Sequence, residues 1–326
     1  MNSITTSTLK LGIISGGQLG KMLIQEASKW DICTYVLDMN DDCPAAGIAT
    51  HFTKGHQLDF DDVYRFGKNL DILTYEMENI NTEALHKLKA EGLTILPDPL
   101  TLELIQDKGL QKDFFQKHHI HTAPYALYHN KAEICHAVET GKLNYPFVQK
   151  LRKGGYDGRG VAIIKNSEHL SKLFDAPSVV EAMVPIVNEI AVIAARNAHA
   201  EIRCFPVVEM AFDAEANLVE KLLCPATVTA EQSKIAIDTA SRLIELLDMS
   251  GLLAVEFFID DKGTVILNEV APRPHNSGHH TIESVVTSQF EQHLRAILNL
   301  PLGSTQQIMP AVMINLLGEP LHTGQV

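Results

Sequence analysis

Two glutamates lie in apolar stretches, where an ionised carboxylate is costly unless a partner compensates its charge. Glu256 falls within Ala254–Phe258, and Glu269 falls within Val265–Val270. These stretches predict a β-hairpin. A four-residue loop, Asp261–Thr264, would place the two glutamates directly opposite each other, and a two-residue loop would leave them diagonal on one face. Facing carboxylates repel unless a cation lies between them, and oxygen-only ligands favour Mg²⁺ shared with nucleotide phosphates. The competing interpretation is a carboxylate paired with a lysine.

The segment Gly154–Gly160 (GGYDGRG) contains four glycines in seven residues, together with Asp157 and Arg159. Glycine leaves the backbone free to close over a ligand, and the two charged residues provide one anion and one cation at that point. The flanking stretches Tyr145–Lys150 and Val161–Lys165 are typical of strands, which predicts a hairpin with a mobile flap at its tip. A flexible tip without function is the alternative, but such tips rarely alternate glycine with Tyr, Asp and Arg.

Two further segments are rich in hydrogen-bond donors. The segment Asn268–Gly278 (NEVAPRPHNSG) is stiffened by two prolines and directs Arg273 and His275, which is typical of an anion clamp, with a structural turn as the competing interpretation. The segment Ser15–Gly20 (SGGQLG) lies between a predicted strand and a predicted helix, where backbone amides bind phosphate well. Because Ser15 stands at the first glycine position of the dinucleotide fingerprint, a phosphate site and a tight turn are equal alternatives.

The elements that must position these residues change in character along the chain. Up to about residue 100, short apolar strands alternate with helical patterns, which predicts a parallel sheet covered on both faces. The predicted strands of this part are Leu9–Ser15, Cys33–Asp38 and Asp71–Glu78. From about Val179 onward, long strands and an amphipathic helix near Glu231–Asp248 predict an α+β fold. The expected domains are 1–105, 106–178 and 179–326.

Composition limits the classes of partner. The 326 residues include 40 acidic and 27 basic ones, for a formal net charge of −13, so no broad basic surface is expected to bind nucleic acid. No apolar run approaches the roughly 18–20 residues that span a bilayer, so no membrane partner is expected. The five cysteines are scattered without a C-x-x-C pair, which favours a protein of the reducing cytoplasm over a disulfide-bonded one.

Taken together, these motifs resemble those of the 5-(carboxyamino)imidazole ribonucleotide synthase family, a family of purine biosynthesis within the ATP-grasp superfamily. The segments that carry the resemblance are Gly16–Met22, Asp42–Ala45, Gly154–Gly160, Asn268–Gly278 and Ser288–Ala296. They occur in order over essentially the whole chain. The resemblance implies an ATP-grasp fold that combines α/β and α+β parts, namely an N-terminal Rossmann-like (preATP-grasp) domain, a small central lid and a C-terminal α+β domain.

The resemblance implies a ligase that converts ATP, bicarbonate and 5-aminoimidazole ribonucleotide to ADP, phosphate and the N-carboxylated ribonucleotide through carboxyphosphate. Mg²⁺ is the expected metal, with Mn²⁺ as an alternative, and a homodimer is the expected assembly. The rival readings are another ATP-grasp ligase or biotin-dependent carboxylase subunit, a nicotinamide oxidoreductase built on the N-terminal unit, and a catalytically inactive nucleotide sensor.

The resemblance also implies which residues form the site, in four groups. The residues around the reacting centre are Asp157, Arg159 and Arg273. The ribonucleotide contacts are Gly17, Gln18, Leu19, Glu76 or Glu78, Tyr156, His275 and Asn276. The ATP contacts are Lys108, Lys150, Gly155, Gly158, Glu181, Ala182, Val184, Glu189 and Asn268. The metal ligands are Glu256 and Glu269.

Two departures from the family pattern qualify these expectations. Met210 and Phe212 follow Glu209 where the family has Asn and His, so the resemblance supports no bicarbonate contact there. Relatives continue for several dozen residues past the position of Val326, through a basic segment that contacts the substrate phosphate. A chain that ends at Val326 is therefore expected to retain ATP binding and to bind the ribonucleotide weakly.

Overall fold

The computed structural model describes residues 6–155, 160–212 and 219–316. Within these residues, three β-sheets follow one another along the chain, the first parallel and the other two antiparallel. No described helix has both the length and the apolar character needed to cross a membrane.

The first sheet has five parallel strands in the order β3-β2-β1-β4-β5. The strands are β1 (Lys10–Ile14), β2 (Cys33–Asp38), β3 (His51–Lys54), β4 (Ile72–Tyr75) and β5 (Thr94–Ile95). The helices between them are α1 (Gln18–Ser28), α2 (Phe60–Gly67) and α3 (Thr82–Ala90). Leu11 and Ile13 pack towards α1, whereas Ile14 packs towards α2 and α3. The predicted parallel sheet with two covered faces is thus confirmed, although β4 ends at Tyr75, three residues before the predicted strand end.

Two helices, α4 (Pro99–Gln106) and α5 (Lys108–Lys117), connect the first sheet to the second. Helix α5 carries both Lys108 and Lys112, and α4 precedes it as a separate helix. The helical path breaks at Asp107, whose carboxylate accepts the backbone N–H groups of Gly109 (2.9 Å) and Leu110 (3.3 Å) and so caps α5. The same carboxylate accepts two hydrogen bonds of 2.8 Å from Arg152, which fixes the start of α5 against the second sheet.

The second sheet has four antiparallel strands in the order β6-β9-β7-β8. Its elements are β6 (Tyr125–Tyr128), α6 (Lys131–Glu139), β7 (Phe147–Leu151), β8 (Val161–Ile164) and β9 (Ser178–Ala182). The pairing of β7 with β8 confirms the predicted hairpin that carries the glycine-rich segment. The predicted domain boundary between residues 178 and 179 falls within β9.

The third sheet has seven strands, with β15-β14-β10-β12-β13-β16 as its main order and β11 paired to β10. The strands are β10 (Ile186–Arg196), β11 (Ile202–Cys204), β12 (Val208–Phe212), β13 (Val219–Cys224), β14 (Gly251–Asp260), β15 (Val265–Ala271) and β16 (Ala311–Ile314). Helix α7 (Ala230–Leu246) begins with a Thr229–Gln232 capping box and buries Ala236, Ala240 and Leu243 against this sheet. The predicted helix near Glu231–Asp248 is confirmed.

Helices α8 (Thr281–Ser284) and α9 (Gln289–Ile297) follow β15. Helix α9 lies between the first and third sheets, because Phe290 and Leu294 share an apolar cluster with Leu11 of β1, while Ala296 packs with Leu252 of β14. The buried pair of Thr74 Oγ1 and His293 Nε2, 2.8 Å apart, adds a polar contact between β4 and α9. Helix α9 thereby connects the first sheet to the third sheet.

Candidate active site

The hairpin of β14 and β15 brings Glu256 directly opposite Glu269. This is the arrangement that the sequence analysis predicted for a four-residue loop. The route differs from that prediction. Phe257 pairs with Leu267, so Asn268 is an additional residue that forms a β-bulge on β15. Without the bulge, Glu256 would face Asn268, and Glu269 would lie on the other face of the sheet. The bulge therefore decides that the two carboxylates meet.

The two carboxylates have different partners. Lys108, the first residue of α5, forms an ion pair and a hydrogen bond with Glu269. His275 Nε2 lies 3.4 Å from Glu256 Oε1. Burial raises the pKa of Glu256, and the charges of Glu269 and Glu189 raise it further. The charge of Lys108 holds the pKa of Glu269 well below its usual range. The two carboxyls thus differ in acidity, with Glu269 the more acidic of the two, as expected of two like charges that share too little positive charge.

Two lysines, the buried Lys112 and the half-buried Lys150, flank Glu181 of the neighbouring second sheet. Lys150 Nζ lies 3.1 Å from Glu181 Oε2 and donates to Asn268 Oδ1 at 2.8 Å. Lys112 Nζ lies 3.0 Å from Glu181 Oε1. Burial opposes the ionisation of Glu181, but Lys150 and Lys112 outweigh it and lower its pKa. Burial lowers the pKa of Lys112 to about 8.

Lys112 is a residue of this site to which sequence reasoning assigned no role. It lies four residues after Lys108 on α5, so both lysines project from one face of the helix. That spacing was the available signal. A lysine pair at this spacing is common on solvated helices, however, and only the packing of α5 against β9 shows that Lys112 is 3% exposed.

The remaining predicted ATP contacts lie near these groups. Glu189 occupies β10 between Phe258 of β14 and Met210 of β12, and burial raises its pKa to about 7. The Ala182 N–H already donates to the Pro124 carbonyl at 2.8 Å, and the Val184 carbonyl accepts the Ile186 N–H at 3.0 Å. The predicted ATP contacts at these two positions therefore share their backbone groups with internal hydrogen bonds.

The segment after β15 reaches from the third sheet to the first. Arg273 Nε donates to Glu78 Oε1 at 2.8 Å, which joins a predicted reacting-centre residue to a predicted ribonucleotide contact. His275 Nδ1 lies 2.9 Å from Ser277 Oγ, which orients the imidazole towards Glu256. Asn276 Oδ1 is buried and makes no hydrogen bond to any described residue, which is a feature of groups that bind a ligand.

The N-terminus of α1 holds a carboxylate from within the protein. Glu76 accepts hydrogen bonds from Ser15 Oγ (2.7 Å), the Gly17 N–H (2.9 Å) and the Gly20 N–H (2.8 Å). Helix α1 has no side-chain cap of its own, so Glu76 supplies the anion that the helix N-terminus favours. The predicted ribonucleotide contacts Gly17, Gln18 and Leu19 therefore lie beside a position that a carboxylate already occupies.

Several predicted positions belong to the glycine-rich segment or to the family departures. Tyr156, Asp157, Gly158 and Arg159 lie outside the described residues. The neck of the segment is described, and Gly154 and Gly160 have φ values of 77° and 83°, where side chains are strained. Gly155 lies between Gly154 and residues 156–159, which are outside the described part of the chain.

The family departures lie on β12. The Met210 side chain is buried in an apolar cluster with Val208 and Leu222. The Phe212 backbone pairs with Val219, and its side chain lies outside the described part of the chain.

Comparison with known proteins identifies the family. Residues 8–106 match the ribonucleotide synthetase preATP-grasp domain, and residues 113–290 match the ATP-grasp domain. The chain is 38% identical over 314 residues to N5-carboxyaminoimidazole ribonucleotide synthase of Bacillus subtilis (strain 168), which covers 95% of this chain and 81% of that protein. It is 39% identical over 316 residues to the chloroplastic phosphoribosylaminoimidazole carboxylase of Vigna aconitifolia. The aligned region covers 95% of this chain but only 56% of that longer relative.

A solved structure extends the comparison to three dimensions. The N5-carboxyaminoimidazole synthase of Aspergillus clavatus, in complex with ADP and 5-aminoimidazole ribonucleotide, superposes with a TM-score of 0.87 at 31% identity, covering 96% of this chain and 83% of that one. The domain matches and the lysine–carboxylate site define an ATP-grasp enzyme, an ATP-dependent ligase. At this level of identity the chain belongs to the N5-carboxyaminoimidazole ribonucleotide synthase family, which is the family that its motifs resemble.

Proposed function

We propose that the protein carboxylates the exocyclic amine of 5-aminoimidazole ribonucleotide, using ATP and bicarbonate, in purine biosynthesis. The observation that carries the proposal is the convergence of Glu269, Asn268, Lys108 and Lys150 from α5, β7 and β15. The names of the relatives support the substrate, and the complex of the Aspergillus clavatus enzyme with ADP and the ribonucleotide supports the joint use of both ligands.

Mg²⁺ fits the donor set of the hairpin. Glu256 and Glu269 offer opposed carboxylate oxygens, and Asn268 on the bulge adds an amide oxygen, a set that suits a hard divalent cation. These residues would hold the ion, which would offset the charge of the nucleotide phosphates when bound. Lys108 and Lys150 would hold the same phosphates, because both ammonium groups lie within reach of the hairpin carboxylates or of Asn268.

The proposed chemistry explains why ATP with bicarbonate and the ribonucleotide must be held close together. Bicarbonate is a poor electrophile, so its oxygen first attacks the γ-phosphorus of ATP, which releases ADP and forms carboxyphosphate. The exocyclic amine of the ribonucleotide then attacks the carboxyl carbon, or CO₂ released from it, and phosphate leaves. Arg273 would hold the carboxylate with its planar guanidinium. Asp157 would position the amine or accept its proton, with Arg159 beside it.

Carboxyphosphate hydrolyses readily, so water must be kept from the site. The glycine-rich segment Gly154–Gly160 would close over the nucleotide as a lid, and its neck glycines already adopt a backbone geometry that suits glycine. The predicted division into domains 1–105, 106–178 and 179–326 is part of this proposal. The three separate sheets support three units, although strand β9 of the second sheet crosses the boundary at 178/179. A homodimer and a cytoplasmic location are further parts of it, supported by the family resemblance and by the scattered free cysteines.

One assay separates the proposed function from its rivals. ADP and phosphate release from Mg-ATP is measured with and without bicarbonate and 5-aminoimidazole ribonucleotide, together with the incorporation of radiolabelled bicarbonate. We expect ADP formation to require bicarbonate and labelled product to require all three substrates. A rate of ADP formation that is the same with and without bicarbonate and the ribonucleotide would contradict the proposal and favour another ATP-grasp ligase. Tight ATP binding without any turnover would favour a nucleotide sensor.

A further inference from the structure

Helix α9 begins with Gln289, a residue to which neither the motifs nor the proposed mechanism assigns a role. Its side chain is 0% exposed and lies against the backbone of His275. The His275 N–H donates to Gln289 Oε1 at 2.9 Å, and Gln289 Nε2 donates to the His275 carbonyl at 2.8 Å. The amide thus pairs with both polar groups of one residue, as a neighbouring strand would.

A second set of contacts holds the other end of the turn formed by residues 275–278. The backbone N–H of Gln289 donates to Thr281 Oγ1 at 2.9 Å, and this hydroxyl donates to the Gly278 carbonyl at 2.5 Å. A β-carbon on Gly278 would lie 2.4 Å from Gln289 Oε1, which shows how closely the turn and the amide approach. Both ends of the turn 275–278 are therefore attached to one buried residue.

The attached turn and the residues just before it carry groups that face the site. His275 Nε2 lies 3.4 Å from Glu256, and Arg273, two residues earlier, donates to Glu78 at 2.8 Å. Pro272 and Pro274 flank Arg273 and have no N–H to donate, so the N–H of His275 is the next backbone donor that can anchor this segment. Among the described hydrogen bonds, those of Gln289 reach backbone and Thr281, and none reaches a predicted site side chain.

From this arrangement we propose that Gln289 is a positioning residue for carboxyl transfer. Its amide fixes the backbone of His275 and thereby the placement of the Arg273 guanidinium. The inference rests on the proposed function, because it assigns Arg273 to the transferred carboxylate. Gln289 acts on that step through Arg273 and His275 without contacting substrate.

The same helix provides a matched control. Gln292 is also 0% exposed, and it makes the same pair of hydrogen bonds with another residue. Its Nε2 donates to the Gly303 carbonyl at 3.0 Å, and its Oε1 accepts the Gly303 N–H at 2.8 Å. Residue type, burial, helix and bonding pattern are alike, and only the attached segment differs.

The test compares Gln289→Leu with Gln292→Leu in the full chain. Both variants remove two buried hydrogen bonds, so we expect a similar fall in Tm for the two. Gln289→Leu should lower the kcat for formation of the carboxylated product by about 10²-fold, the loss expected when a reacting group is misplaced by about 1 Å. It should also raise the ratio of ADP formed to radiolabelled bicarbonate incorporated, because carboxyphosphate forms but is not captured. Gln292→Leu should keep the wild-type ratio.

Two outcomes would overturn the proposal. A wild-type ratio in Gln289→Leu would reduce Gln289 to a structural role, since partial unfolding lowers both products in parallel. An equal change of the ratio in both variants would do the same. Should Gln289→Leu fail to fold, Gln289→Glu carries the test, because it keeps the acceptor for the His275 N–H, loses the donor to the carbonyl, and is expected to raise the ratio by a smaller factor.

A second measurement does not depend on the proposed function. Amide hydrogen exchange of peptides covering residues 272–278 should become faster in Gln289→Leu, whereas exchange around Gly303 should become faster in Gln292→Leu. If wild-type protein forms no carboxylated product but this exchange pattern holds, the proposed function fails and the anchoring by Gln289 stands. Unchanged exchange at 272–278 in Gln289→Leu would overturn the anchoring itself.

Discussion

Glu76 and the Glu256–Glu269 pair are partly or fully withdrawn from solvent, but different groups compensate their charges. Glu76 is 8% exposed and accepts three hydrogen bonds from the segment Ser15–Gly20, two of them from backbone N–H groups. The Glu269 side chain is 40% exposed and that of Glu256 is 16% exposed, and their partners are the side chains of Lys108 and His275.

The difference indicates what each site can do. Backbone N–H groups at the start of α1 cannot turn away from Glu76 without disrupting the helix end, so this carboxylate is part of the structure. A lysine ammonium on a four-carbon stem can rotate towards a phosphate and release Glu269 to a metal ion. A carboxylate such as Glu269, whose partner is a flexible lysine side chain, is therefore suited to an incoming cation, whereas a carboxylate held by backbone amides is not.

The largest expected effect tests the hairpin pair. In Glu269→Gln, the carboxylate that pairs with Lys108 is lost, while the amide oxygen still offers an acceptor to the Lys108 ammonium group, so we expect the hairpin to stay folded. We expect the rate of ADP formation to fall by about 10²–10³-fold, as when one preorganised electrostatic group is removed from an active site. The measurement is steady-state ADP release with Mg-ATP, with circular dichroism as the control for folding. Wild-type turnover in this variant would show that the pair is not the metal site.

The same substitution at Glu76 should give the opposite outcome. In Glu76→Gln, the amide group places an N–H donor towards a backbone N–H of α1, and a charge-assisted hydrogen bond is lost. We expect the free energy of unfolding to fall by about 1.5–3 kcal/mol, and the affinity for ADP to stay at the wild-type value. Urea unfolding and calorimetric titration with ADP check the two parts. A weakened ADP affinity at full stability would erase the contrast between the two sites.

The smallest expected effect concerns pH and Glu189, whose pKa burial raises from an ordinary value of 4.5 to about 7. Between these values the folded protein binds more protons at Glu189 than the unfolded chain does, so this group's contribution to stability is lost as the pH rises through the window. Without divalent metal, wild type should lose about 1–2 kcal/mol relative to Glu189→Gln between about pH 5 and about pH 7.5. Urea unfolding at both pH values measures it. If the stability of the two proteins changes with pH in parallel, folding does not raise the pKa of Glu189.

Local patterns predicted much of the fold. The strand Cys33–Asp38, the helix near Glu231–Asp248 and the hairpin of β14 and β15 could be predicted because alternation, helical periodicity and capping act over a few residues. The bond between Asp107 and Arg152, 45 residues away, could not be predicted from local patterns, because it joins the start of α5 to the second sheet. The role of Lys112 was missed for the same kind of reason, because its burial depends on strand β9.

The sequence by itself determined the family, the order of strands and helices, and the presence of two glutamates in apolar strands, since each of these depends on residue types and short spacings. Only the tertiary structure decided that a bulge at Asn268 turns these glutamates towards each other, that Glu76 fills the helix N-terminus beside Gly17, and that Gln289 holds His275. Such contacts join residues from separate elements. Their existence depends on how the sheets and helices pack, and packing free energy is distributed over the whole core rather than encoded at any one position.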